Sequence, residues 1–194
     1  MVRRLAEHIV DWQIKRHFLK AEERGLYLYA YEVLINQMTN ILIAILLAIL
    51  FRAPLPVFTF LVSYIPLRAF GGGHHAKTNE RCMFVSAVLI SIVCLITKIL
   101  PEQAVIVTPA AFVISGIMIF CYAPVGDANK PLTGAEVIRY RKISRYLWLA
   151  ESIAGMFFFF IRHPVSVVLA ISHLILCVML FLGILKNKTA KIQG

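Results

Sequence analysis

The sequence predicts an all-α polytopic membrane protein, with about six transmembrane or re-entrant helices and an N-terminal amphipathic interfacial helix. Three observations predict it. Of the 194 residues, 60% are hydrophobic and 15% charged, with a mean hydropathy of +0.79, well above the apolar share of a soluble domain. The apolar residues gather into six runs near the length that crosses about 30 Å of hydrocarbon: Val33–Phe51, Pro54–Leu67, Met83–Leu100, Ala104–Tyr122, Leu147–Ile161 and Val165–Leu185. The basic residues alternate between the segments joining them. With the N-terminus inside and six crossings, only Arg52, Lys98 and Arg162 of the 20 lysines and arginines fall outside. That bias places both termini and both long loops in the cytoplasm of a multi-pass cell-membrane protein. The net charge of +10 is thereby assigned to topology and to attraction for anionic lipid or an acidic peptide, not to nucleic acid.

Residues 1–24 carry Leu5, Ala6, Ile9, Val10, Trp12, Ile14 and Phe18 at helical spacing among charged residues. This is an amphipathic helix expected to lie in the inner interface as an anchor, with Trp12 at headgroup depth. The segment has no apolar h-region, so no cleavable signal peptide is expected. The first span aligns Glu32, Asn36 and Asn40 on one stripe, next to Gln37. Polar groups at that depth must face protein or a wet cavity. Interhelical hydrogen-bond glue is the expected role, a polar wall of a substrate cavity the alternative. Glu151 in the fifth span receives the same reading.

The second run holds Pro54, Pro56 and Pro66 and is expected to tilt, bend or re-enter, so four spans with re-entrant pieces is the other count. Residues 123–133 form a turn-rich loop. A basic helix over 133–149 follows, with Thr133 and Glu136 spaced for a capping box. No repeat divides the chain, and it reads as one membrane-embedded domain, 1–194, with cytoplasmic loops at 68–82 and 123–146.

The chemistry concentrates between the second and third spans, where Arg68, three glycines (Gly71, Gly72, Gly73), His74, His75 and Cys82 follow one another. Cys94, Cys121 and Cys177 sit inside apolar sequence and are expected to be buried. The four cysteines have no disulfide spacing. Thr78 or Asn79 can cap the third span, which puts Cys82 in its first turn. The positive end of a helix, with Lys77 and Arg81 nearby, favours a thiolate, and amides of that turn are candidate oxyanion donors. His74 and His75 are both candidate bases. Each is too far along a continuous helix to reach Cys82, so the glycines and the turn at 76–79 must fold the chain back. Arg68 is suited to a carboxylate or to orienting a substrate. Two adjacent histidines and one cysteine are too few for a metal site. An inert structural loop remains the plain alternative. His8, His17, His163 and His173 are expected to be interfacial or packing residues.

The pattern Arg68-x-x-Gly71-Gly72-Gly73-x-His75-x6-Cys82 at the opening of a span resembles the accessory gene regulator B family, AgrB, as do Ala123–Val125 and Asn129–Leu132 in the second loop. The resemblance covers nearly the whole chain in length and span layout. It implies a membrane cysteine endopeptidase that processes a small quorum-sensing propeptide. His75 rather than His74 is then the catalytic partner of Cys82, with Arg68 and Gly73 in support. The implied partner is a propeptide with an amphipathic N-terminus and an acidic C-terminal tail. Some members carry a lysine cluster in the second loop. Here the charge is spread over Lys130, Arg139, Arg141 and Lys142, the implied substrate contacts. Cys82 would hold an acyl-thioester that cyclises to a thiolactone, with no cofactor needed. A homodimer is compatible with such a chain. The competing class is a small polytopic peptide or ion transporter without proteolytic activity.

Overall fold

The computed structural model describes residues 2–73, 78–99, 107–126 and 132–192. They form seven α-helices: α1 (Val2–Lys15), α2 (Arg24–Leu50), α3 (Pro54–Gly71), α4 (Asn79–Ile99), α5 (Val107–Tyr122), α6 (Gly134–Phe160) and α7 (Val165–Ile192), with a 3₁₀ turn at Ala21–Glu23. The polytopic helical class read from the sequence is the observed one. Among the described residues, four stretches are long and apolar enough to cross a membrane: Ala21–Leu50, Pro54–Gly71, Glu80–Ile99 and Val165–Lys188.

The second run does not break. Pro54 and Pro56 lie in the first turn of α3, where helix amides have no intrahelical partner to lose, and the helix continues through Pro66 to Gly71. The other two of the six runs are built differently. α5 has only 16 residues. The basic helix and the fifth span are one continuous α6 of 27 residues, roughly 40 Å long. Its start is fixed by the expected capping box: Glu136 N–H donates to Thr133 Oγ1 at 3.3 Å and Thr133 N–H to Glu136 Oε2 at 2.9 Å.

α1 docks on the first turns of α2. Arg24 pairs with Asp11 at 2.9 Å, Gln13 Nε2 donates to the Tyr31 hydroxyl at 2.7 Å, and Ala6 and Val10 are buried. Leu5, Trp12 and Phe18 stay exposed, as an interfacial helix requires. Glu32 turns toward Arg3, 3.8 Å away.

α7 is the most buried of the four spanning candidates, packed by α3, α4, α5 and α6. α5 and α6 approach each other closely because two glycines face aromatic rings across their contact. A Cβ at Gly155 would lie 2.2 Å from the Phe112 ring, and one at Gly116 2.6 Å from Trp148. Small residues at helix contacts serve membrane packing in this way.

Glu151 is interhelical glue, as expected. Its Oε2 accepts from Ser63 Oγ on α3 at 2.5 Å and lies 3.0 Å from His173 Nε2 on α7. Ser63 also meets Ser172 at 2.9 Å. His173 Nδ1 meets Ser115 on α5 at 3.0 Å, and Trp148 Nε1 donates to the same serine. One polar network therefore ties α3, α5, α6 and α7. His173, fully buried, is its hub, a larger part than a packing histidine.

Candidate active site

The glycine run ends α3 and turns the chain sharply. Gly72 (φ 76°) and Gly73 (φ 111°) both occupy the left-handed region, which costs a residue with a Cβ about 1–2 kcal/mol. Space forbids a side chain as well. A Cβ on Gly72 would lie 2.1 Å from the Val125 carbonyl oxygen, and one on Gly73 2.7 Å from that of Met179 on α7. The close approach serves a clasp between the two loops: Val125 N–H donates to Gly71 O at 2.9 Å, and Gly73 N–H donates to Val125 O at 3.0 Å. Arg68, one turn earlier on α3, donates from Nη1 to the Gly72 carbonyl. From the other side, Asn187 Nδ2 on α7 donates to Gly126 O at 2.7 Å. The expected role of Arg68 toward substrate therefore has a structural companion: it braces the turn.

Cys82 lies in the first turn of α4, and of the two candidate caps Thr78 acts on the amides around it. Its Oγ1 accepts from Arg81 N–H at 3.3 Å, and its carbonyl accepts from Cys82 N–H at 3.1 Å. Those two amides are committed to the cap, so an oxyanion site cannot rest on them.

Cys82, Arg68 and Gly72 line one cavity of about 380 Å³ between α2, α3 and α4, roofed by Val125 and Gly126. That is within the roughly 300–1,000 Å³ of small-ligand sites. Tyr64, one turn below Arg68 on α3, lines the cavity as well. Asn36, Gln37 and Asn40 also line it. The expectation of glue is thus overturned for the two asparagines: Asn36 Oδ1 and Asn40 Oδ1 are buried without a hydrogen-bond partner among the described residues. They form the polar wall that was the alternative.

Arg139, Arg141 and Lys142 are exposed on α6 and do not line the cavity. Tyr140, between them, does, its ring packed edge-on to Phe70 at 5.4 Å. Arg145 instead donates to the Phe120 carbonyl at 2.8 Å and stacks on that ring. His74, His75, Lys77 and Lys130 lie outside the described residues. Cys94 and Cys177 are buried as expected, but Cys121 is exposed, because the short α5 turns that face outward. Tyr64 and Tyr140 were not among the site residues expected from the sequence. The spacing Tyr64–Arg68, matched by Cys82–Ser86 on α4, was the available signal for the first.

A bundle of apolar helices with a cysteine-lined cavity under a two-loop clasp defines a polytopic membrane protein with a candidate thiol site. The chain belongs to the AgrB family: the family model described as accessory gene regulator B matches residues 3–185. It is 28% identical over 125 residues to a Clostridium beijerinckii protein named "Putative AgrB-like protein", covering 62% of this chain and 61% of that one. A protein of the same name from Clostridium perfringens strain SM101 is 28% identical over 119 residues, covering 57% and 55%. The chain thus matches less than two thirds of the length of these relatives. No solved structure matches it.

Proposed function

We propose that the chain is a membrane cysteine endopeptidase of the agr quorum-sensing system, with Cys82 as nucleophile and His75 as general base. Family membership supports a role in that system. The observation that carries the chemistry is the placement of Cys82 in the wall of a cavity shared with Arg68, Tyr64 and the glycine clasp. The Cys82 thiolate attacks a propeptide carbonyl carbon, the C–N bond breaks, and the proton held by His75 passes to the leaving amine. The acyl group remains on Cys82 as a thioester. A thiol of the peptide, its proton passing to His75, then attacks that carbonyl, releases the Cys82 thiolate and closes a thiolactone. An apolar cavity keeps water from competing.

The exposed Arg139, Arg141 and Lys142 suit an acidic leaving tail, and the site faces the cytoplasm in this reading. Neither intramembrane polar group calls for a transport path: Glu151 bonds Ser63 and His173, and the asparagine stripe opens on the Cys82 cavity. Co-expression of the propeptide with Cys82→Ser or His75→Ala tests the reading. Loss of tail cleavage in both variants is expected, and cleavage at the normal rate in either overturns it.

A further inference from the structure

The inner wall of the cavity poses a question that the nucleophile alone does not answer. Asn36 and Asn40 each bring a buried acceptor with no partner among the described residues, and burying an acceptor in that way is unfavourable unless something else supplies the donor. The levels of the three walls follow from the hairpin path. α2 and α4 run one way and α3 the other, so Asn40 lies one turn deeper than Asn36, Tyr64 than Arg68, and Ser86 than Cys82, all lining the same space. Below them the lining turns apolar at Phe60, Leu89 and Ile90.

One turn of α2 separates the two acceptors by roughly 6 Å along the axis. Same-edge amides of an extended chain recur every second residue, about 6.5 Å apart. The spacing therefore fits two N–H donors of one extended peptide running inward from Cys82. A charged tail is excluded from so apolar a space, whereas the exposed basic face of α6 suits it.

Resting on the reading of Cys82 as nucleophile, we propose that Asn36 and Asn40 form a main-chain subsite for the acyl side of the propeptide. The segment ending at the scissile carbonyl enters extended, its amides donate to the two asparagines, and its apolar side chains rest on Phe60, Leu89 and Ile90. The wall thereby selects a short apolar stretch and holds it while the tail departs.

The test is steady-state cleavage of synthetic propeptide by the full chain in proteoliposomes, comparing Asn36→Ala, Asn40→Ala and the double variant. Each single change is expected to raise KM roughly fivefold or more, the size of one lost hydrogen bond, with kcat within about twofold. Iodoacetamide should alkylate Cys82 of each variant at the unmodified rate, which confirms that the cavity is formed. An unchanged KM in the double variant, or a change in oligomeric state alone, overturns the proposal. Equilibrium binding of a fluorescent propeptide to Cys82→Ser separates the two layers. Weaker binding on adding Asn36→Ala and Asn40→Ala supports the subsite whatever the nucleophile is; equal binding rejects it even if Cys82 proves essential. Should the double variant fail to insert, Asn40→Phe, which fills the inner end, is expected to abolish protection of Cys82 by the propeptide, and retained protection counts against the subsite.

Discussion

The amide of Gly73 donates to the carbonyl of Val125 at 3.0 Å, so residues 52 positions apart in the chain fix one turn together. Through this contact the start of the Cys82 loop is held by the second loop, at Val125. Gly73→Ala is expected to cost about 1–2 kcal/mol locally through its left-handed backbone, and its Cβ would also press on Met179 O. Cleavage activity should fall at least tenfold while the helical circular dichroism is unchanged. Protease sensitivity at the loop, measured in membranes, should rise in parallel.

Arg68 braces the same turn from α3 by donating to Gly72 O. A lysine keeps the charge but not the planar fork of donors. Arg68→Lys should therefore recover little of the activity lost in Arg68→Ala, as read by propeptide cleavage.

The network around His173 predicts a stability effect separate from catalysis. Glu151→Ala leaves Ser63 and His173 without their shared acceptor, a loss of about 1–3 kcal/mol. Glu151→Gln keeps an acceptor oxygen and should lose less. Thermal unfolding in detergent, scored by loss of the monodisperse species, should rank wild type above Glu151→Gln and that above Glu151→Ala.

The docking of α1 should respond to acid. Arg24 donates to Asp11 and holds its carboxyl below the usual range. An acid with a depressed folded pKa stabilises only above its unfolded value, about 3.9, and loses that contribution as pH falls through the folded one. Contact between α1 and α2 should be constant from neutral pH to roughly pH 4 and weaken below it. Trp12 fluorescence in a Trp148→Phe background reads this, and Asp11→Asn should abolish the acid step.

The four cysteines should sort by environment. Cys82 opens on the cavity, Cys121 faces outward on α5, and Cys94 and Cys177 are buried. A charged water-soluble maleimide should label Cys82, a lipophilic one should add Cys121, and the other two should react only after unfolding. Labelling of all four by the charged reagent would contradict this arrangement.

Local signals carried much of this into the sequence. The amphipathic period of α1, the Thr133–Glu136 box and the cap before Cys82 each depend on neighbours within a turn or two. The continuity of α6 did not show, because the change from Arg139–Arg145 to apolar residues marks where a helix enters the membrane rather than where it stops. The place of Asn36 and Asn40 was equally hidden: glue and cavity wall share one spacing, and only their unpartnered oxygens on the cavity separate them. The Gly72–Val125 bridge and the His173 network join residues far apart in the chain, which no local pattern records. The roles of His75 and Lys130 are those the family resemblance implies, and both residues lie outside the described ones.

The central claim is that Cys82 carries the acyl group, and intact-protein mass spectrometry of rapidly quenched enzyme and propeptide tests it most directly. A thioester adduct of the propeptide lacking its tail is expected on the peptide containing Cys82, cleaved by hydroxylamine and lost in Cys82→Ser. An adduct on another residue, or tail release by Cys82→Ser at the wild-type rate, would contradict it.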